Sequence, residues 1–333
     1  MTSSRGTRKA RPVISLIGSG GVGSRHLQAI LKLPGPARIQ VVEREPAAME
    51  NARLRAGEVA RASEATIDWH ETLDGLVPAD LTIVATLAVG RADLISRLLD
   101  RGDRRFLVEK VVFQSAEEFS RILEAFAQRG AKGWVNCPRR YYPFYHQLHS
   151  DLGGRAPVIV QVSTGNRGLG CNAIHYVDLF EYLTGRIPGS IDGGLLSDGV
   201  QKNRRGAEFV EFSGTLSGVT SEHDTLEISF APVPQPTALV SIASSVISAF
   251  ADEAADFALR SGSGKDSRWR ESEFGHRHVS DVTTSIAADI LASDDCRLAT
   301  LARSADMHNL LFDAFNNHLE RDTGRRPLLC PIT

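Results

Sequence analysis

Two residues in this chain combine the means to move a proton with the means to stabilise a developing negative charge. Lys110 follows the apolar run Arg105-Phe106-Leu107-Val108-Glu109, and His175 lies in a stretch whose spacing predicts a helix over 173–184, ending at Gly185. An imidazole titrates near neutral pH and suits general acid or base work. An ammonium beside it can donate a hydrogen bond to an oxygen on which charge develops. At helical spacing Cys171, His175, Asp178 and Tyr182 share one face, so Asp178 is placed to orient or support the imidazole. Each residue alone also fits a bland role, Lys110 as a solvated loop end and His175 as a satisfied structural histidine.

The elements that would position this pair begin near the start of the chain. Val13-Ile14-Ser15-Leu16-Ile17 runs directly into Gly18-Ser19-Gly20-Gly21-Val22-Gly23, the join between a buried first strand and a first helix in a dinucleotide-binding unit. Gly18 permits the tight turn, Gly20 lets the backbone approach a pyrophosphate, and Gly23 lets the helix pack on the strand. The phosphate charge would rest on amide N–H groups at the helix N-terminus. With 29 glycines in 333 residues a bare pattern of this kind arises by chance. The surroundings give it meaning: a strand before it, an amphipathic stretch with Leu27, Ile30 and Leu31 after it, and a second strand, 38–43, ending in Glu43. An acidic residue there accepts from a ribose 2′-hydroxyl and repels a 2′-phosphate, which favours NAD over NADP, although Arg44 follows directly. In such a sheet ligands lie beyond the C-terminal strand ends, where Lys110 also falls. Oxidising a secondary alcohol sends a hydride to nicotinamide and the hydroxyl proton to a base, roles that suit Lys110 and His175.

Strand patterns at 13–17, 38–43, 81–85, 105–109 and 132–136 alternate with amphipathic stretches, the signature of βαβ units and a doubly wound parallel sheet. Ser115 with Glu118 reads as a capping box opening one helix, and Gly130 ends it. After Pro138 the pattern changes to a helix and then strand-like runs at 157–163, 207–216, 225–230 and 238–244, with helical periodicity returning at 280–292 and 299–320. The expected organisation is a tail over 1–12, a dinucleotide-binding Rossmann domain over 13–136, and a substrate-binding and oligomerisation α+β domain over 137–333, built on an open, largely antiparallel sheet. Hydrophobic residues make up 42% and charged residues 23% of the chain, and the net charge is −2. This composition gives no pull toward nucleic acid or an anionic membrane, and no apolar run is long enough to span a bilayer. Four scattered cysteines imply a reduced, cytoplasmic protein without a cysteine-built metal site. The polar stretch 262–267 reads as a loop. Arg139 and Arg140 open the second domain, where a guanidinium fork suits a carboxylate or phosphate on a substrate.

The ordered set Gly18-x-Gly20-x-x-Gly23-x-x-His26, Glu109-Lys110, Asn136-x-x-Arg139-Arg140-x-x-Pro143 and Gly170-x-x-x-x-His175-x-x-Asp178 resembles the Gfo/Idh/MocA oxidoreductase family, which includes glucose-fructose oxidoreductase and inositol dehydrogenase. The resemblance covers nearly the whole chain, and the closing Cys330-Pro331-Ile332-Thr333 is similar to endings of members linked to surface-polysaccharide sugars. It implies hydride transfer between NAD(P) and a secondary alcohol or ketone of a sugar, sugar nucleotide or cyclitol. It assigns Lys110 and His175 to catalysis, and Gly18, Gly20, Gly21, Val22, Gly23, Glu43, Arg44, Thr86, Glu109 and Lys110 to the cofactor. Arg139, Asn172 and Asp178 fall to the carbohydrate substrate, and a homodimer or homotetramer forms through the second sheet. Two positions depart from the family pattern: Val111 stands where members have proline after the lysine, and Cys171 where many have an aspartate four residues before the histidine. The latter keeps open a non-catalytic dinucleotide-sensing regulator; a second alternative, an NAD-dependent glycosidase-type enzyme with transient redox, is implied by relatives that use bound NAD in glycoside cleavage.

Overall fold

The first strand, β1 (Val13–Ile17), is buried from its second residue onward because it runs through the centre of a sheet covered on both faces. The computed structural model describes residues 11–59, 64–155, 157–203, 205–263 and 267–333. Most of the expected tail, and 264–266 of the polar loop, lie outside these. Five further strands pair in parallel with or beyond β1: β2 (Arg38–Val42), β3 (Thr66–His70), β4 (Leu81–Val84), β5 (Arg105–Val108) and β6 (Lys132–Val135). Their order is β3-β2-β1-β4-β5-β6, that of a doubly wound dinucleotide fold, with the strand order switching sides between the parallel strands β1 and β4. β3 carried no clear apolar signal. It is an edge strand with half-exposed side chains, and its place comes from backbone pairing with β2 rather than from burial.

Helices α1 (Gly23–Ile30) and α2 (Pro46–Gly57) lie on one face, and α3 (Arg91–Arg101) and α4 (Ala116–Arg129) on the other. α4 begins as its sequence dictates: Ser115 Oγ accepts the Glu118 N–H at 3.2 Å, and Gly130 closes the helix at φ +61. The Glu118 carboxylate turns back to the Gln114 N–H at 2.9 Å, one residue earlier than in a standard capping box.

Beyond a 3₁₀ turn (Pro138–Tyr141) and α5 (Pro143–Leu152), the chain enters the second sheet through β7 (Val158–Thr164), followed by α6 (Leu169–Thr184). β8 (Ile191–Leu196) joins that sheet, while β9 (Gln201–Lys202) and β10 (Val210–Glu211) form a separate two-stranded ribbon. The sheet is completed by β11 (Gly214–Val219), β12 (Thr225–Phe230), β13 (Ala238–Ser244), β14 (Ile247–Asp252), β15 (Phe257–Gly262) and β16 (Arg270–Glu273). Its order is β16-β15-β14-β13-β7-β12-β11-β8, antiparallel throughout except between β7 and β12. Val158, Val160 and Val162 of β7 are buried under helices, whereas Ile159, Gln161 and Ser163 face outward, so one face of the sheet stays open. α7 (Val279–Ser293) returns to the first sheet, where Val282, Ile286 and Ile290 pack with Leu27 and Ile30 of α1. α8 (Leu301–Thr323) lies against α6 and β8, and its Phe315 stacks on Phe212 with ring centroids 4.4 Å apart.

Replacing Ser115 with alanine removes the α4 cap and is expected to cost about 1 kcal/mol of stability. A urea unfolding midpoint equal to that of the unaltered chain would show that the cap contributes nothing.

Candidate active site

The glycine loop is built on two positions that tolerate no side chain and two that leave room. Gly18 adopts φ +87 and donates its N–H to Val42 O at 2.9 Å, tying the turn to β2. A Cβ on Gly23 would stand 2.0 Å from Gly18 O, so α1 reaches the strand only through glycine. At Gly20 and Gly21 a Cβ would meet nothing within 4 Å, and the backbone is open to a group approaching the first amides of α1. Val22 caps that helix and is partly exposed beside the opening. The Thr86 methyl lies across the loop, 3.1 Å from the position of a Gly18 Cβ. Glu43 is buried at the end of β2, where its carboxylate accepts N–H groups from Ser19 at 2.7 Å and Glu45 at 3.1 Å. Arg44 points to solvent, 3.6 Å from Glu45. This set fits a dinucleotide: an open backbone cradle with an acidic side chain at the neighbouring strand end.

Across the sheet, β5 is followed by Glu109-Lys110-Val111, and the Lys110–Val111 peptide is cis. The loop is held from beneath by Arg91 of α3, whose buried guanidinium donates to the carbonyls of Glu109 (2.6 Å), Val111 (2.6 Å) and Val112 (2.9 Å), and to that of Thr86. Burial lowers the Arg91 pKa to about 10, against the pull of Glu109. The Val112 N–H donates to His308 Nε2 at 3.3 Å, and His308 Nδ1 meets Ser304 O at 2.8 Å, which sets the imidazole tautomer. Burial pushes His308 down to about 4, so it is neutral.

Glu109 is a brace between elements. Its Oε1 meets His26 Nε2 of α1 at 2.8 Å and accepts from Asn136 Nδ2 after β6, while His26 Nδ1 meets Thr283 of α7 at 2.9 Å. Burial disfavours the Glu109 carboxylate, but the hydrogen bonds from His26 and Asn136 outweigh it and hold its pKa below the usual range.

Lys110 leaves this braced loop and reaches the first turn of α6. Its Nζ donates to Cys171 O at 2.8 Å and meets Asn172 Oδ1 at 3.4 Å, while the Asn172 amide donates to Arg167 O at 2.6 Å. One turn further on is His175. Burial, and then the positive charges of Lys110 and Arg139, hold its pKa well below the ordinary value, so its imidazole is neutral at pH 7. Its Nδ1 is buried without a hydrogen-bond partner among the described residues.

Asp178 does not orient this ring. Its carboxylate receives a two-pronged contact from Arg140, at 2.9 and 2.8 Å, because the 3₁₀ turn sets that guanidinium against α6; Arg140 also reaches Glu181 at 2.6 Å. Arg139 is likewise taken, paired with Glu253 at 2.7 and 2.5 Å and lying over the Tyr176 ring. Both forks that suited a substrate anion are filled by the protein's own carboxylates. Lys110, Cys171, Asn172 and His175 thus gather at one place, with Glu43 and Arg44 at the far end of the glycine loop. Arg91 and His308 escaped the sequence reading because neither belongs to a recognisable motif; an arginine directly after Gly90 was the only local signal for the first.

No protein-family model and no curated protein matches the sequence. Solved structures do match in fold. An oxidoreductase from Agrobacterium radiobacter in complex with NAD+, L-tartaric acid and magnesium superposes with a TM-score of 0.73 at 13% identity, over 95% of this chain and 98% of that one. UDP-N-acetylglucosamine 3-dehydrogenase GnnA from Acidithiobacillus ferrooxidans gives 0.70 at 17% identity, over 93% and 97%. The WlbA dehydrogenase from Bordetella pertussis, in complex with NADH and UDP-GlcNAcA, gives 0.65 at 15%, over 92% and 96%.

The loop geometry separates stability from binding. Gly23→Ala forces a Cβ into backbone and is expected to cost about 1–3 kcal/mol, whereas Gly20→Ala should leave stability within about 0.5 kcal/mol while weakening dinucleotide binding. Thermal unfolding and NADH fluorescence titration check the pair, and a Gly20→Ala protein that binds NADH normally would show that the open cradle is not the phosphate site. A six-stranded parallel sheet, a following open mixed sheet and the joining helices give this chain the two-domain fold of these dehydrogenases, the architecture that its resemblance to the Gfo/Idh/MocA oxidoreductases implies.

Proposed function

We propose that the chain is an NAD(H)-dependent oxidoreductase acting on a secondary alcohol or ketone of a sugar, sugar nucleotide or cyclitol, with His175 as acid/base and Lys110 polarising the reacting oxygen. The observation that carries this reading is the convergence, on the first turns of α6 beyond the C-terminal edge of the parallel sheet, of the Lys110 ammonium and a neutral His175 whose Nδ1 has no partner among the described residues. Bound nicotinamide would supply the hydride acceptor or donor; the open glycine loop and Glu43 would hold its other end, and Glu43 favours NAD over NADP. Similar folds with NAD+ or NADH bound support the cofactor.

In oxidation, His175 takes the hydroxyl proton on a ring nitrogen, and its depressed pKa keeps it in the base form at neutral pH. Lys110 donates to the same oxygen as negative charge builds there. Reduction reverses these roles. Because Arg139 and Arg140 are already paired, recognition of the reacting part rests on neutral hydroxyls, with Asn172 beside Lys110 able to contact one.

The open face of the second sheet carries Ile159 of β7, Phe250 of β14, Leu259 of β15 and, just before β16, the half-exposed Trp269. A second copy of the chain burying this face is part of the same reading, and a homodimer or homotetramer follows from it. No helix among the described residues is long and apolar enough to cross a membrane, and the four cysteines are free thiols, in keeping with a cytoplasmic setting.

Lys110→Met should lower kcat by about 10²–10³-fold and His175→Ala by about 10²–10⁴-fold, with NADH affinity retained in both. Full turnover in both variants on a panel of sugars, sugar nucleotides and cyclitols would overturn the assignment. Alcohol oxidation needs the neutral imidazole, so its acid-side loss should fall below the ordinary histidine pKa of about 6.5. In Lys110→Met the residual activity should show that limb moved upward, since one of the charges opposing protonation is gone.

A further inference from the structure

The first turn of α6 has no cap of its own. Gly168 precedes it at φ +81 and offers no side chain; the Leu169 N–H donates to Phe212 O at 3.4 Å, which leaves the amides of Gly170 and Cys171 at the helix entrance. A carboxylate arrives there from another part of the chain. Glu211, the last residue of β10, is buried, and its Oε2 accepts the Cys171 N–H at 3.3 Å, with the Gly170 N–H also pointing to the carboxylate. The backbone is cleared for it: a Cβ on Gly168 would lie 2.7 Å from Glu211 Cδ, and one on Gly170 would lie 2.9 Å from Oε2.

The carboxylate is itself held on the other side. Asn203 Nδ2 donates to Glu211 Oε1 at 3.1 Å, β10 pairs with β9, and the Val210 N–H donates to Pro331 O at 2.8 Å. Burial raises the Glu211 pKa, opposed by its hydrogen bonds from Cys171 and Gly170 and by the Lys110 charge. Partial burial pushes the Cys171 thiol up to about 11.

Cys171 is therefore gripped at both ends. Its N–H faces Glu211, and its carbonyl receives the Lys110 ammonium. In an α-helix that same carbonyl accepts the backbone N–H four residues on, which here belongs to His175. A shift of this turn moves the seat of Lys110 and the backbone of His175 together.

We propose that Glu211 is a positioning residue of the Lys110–His175 centre: it caps α6 from outside the helix and holds Cys171, the residue whose carbonyl both depend on. Its negative charge also offsets the positive helix entrance and the nearby ammonium. This rests on the oxidoreductase reading above for its catalytic consequence, but not for its structural one.

The test compares Glu211→Ala and Glu211→Gln with the unaltered chain, using two readouts. In the protein without substrate, hydrogen exchange across 169–172 should rise about tenfold or more in the alanine variant as the cap is lost, with protection in the first sheet unchanged. Cys171 should alkylate faster with iodoacetamide, while the buried Cys137 and Cys330 do not, as read by peptide mass spectrometry. In turnover, kcat should fall by about 10–100-fold, as for other groups that orient reacting residues, while NADH affinity stays constant. Glutamine, which keeps an acceptor but not the charge, should lie between alanine and glutamate in both readouts and serves as the decisive variant if alanine does not fold. Unchanged exchange and unchanged Cys171 reactivity would overturn the proposal, as would a loss of protection spread over the whole second sheet. If the unaltered chain turned over none of the substrates, the oxidoreductase reading would fail, and the exchange and alkylation results would still decide the cap.

Discussion

The site depends on a buried guanidinium. Arg91 gathers the carbonyls of Thr86, Glu109, Val111 and Val112 around one charge, and so binds the loops after β4 and β5 into a single body. Burying a cation without a directly paired carboxylate is costly unless its donors are satisfied, and here carbonyl oxygens take up the Nη1 and Nη2 donors while Nε finds no partner among the described residues and the Glu109 charge lies close by. That arrangement holds the loop in the absence of a ring at Val111. It also fixes where Lys110 leaves the first sheet, and His308 of α8 and His26 of α1 lock the same loop from two other directions.

Charge is distributed so that the centre keeps a positive bias. Arg139 is paired with Glu253, and Arg140 with Asp178 and Glu181. Among the described residues Lys110 makes no ion pair; its ammonium rests on a carbonyl. The imidazole of His175 responds to that bias by remaining neutral, because protonating it would place a second cation in a buried setting. A neutral imidazole beside an ammonium is the condition that the proposed division of roles requires.

Legibility differed by element for physical reasons. β1, the glycine loop and α1 were plain because burial on both faces demands a continuous apolar run and because Gly18 and Gly23 are needed for backbone geometry that local sequence records. β3 was not, since an edge strand owes its place to hydrogen bonds with β2 and carries half-exposed side chains. α6 starts at Leu169, four residues before its apolar periodicity suggests, because its first turn is capped by a glutamate about 40 residues away rather than by a neighbouring side chain. Asp178 shared a helical face with His175 on paper, but Arg140 claims it, and no spacing rule along one helix reports what the next element presents.

The sequence by itself determined that a parallel sheet precedes a largely antiparallel one and that a glycine loop follows the first strand, because strand burial and glycine conformations are local properties, while Lys110 and His175 stood out as a pair only through the ordered motifs of the family resemblance. Tertiary structure decided which carboxylate meets which cation, which guanidinium forks remain for a ligand, and what holds the turns that aim the pair. Those are contacts between elements far apart in the chain, and their strength depends on burial that only the folded molecule creates.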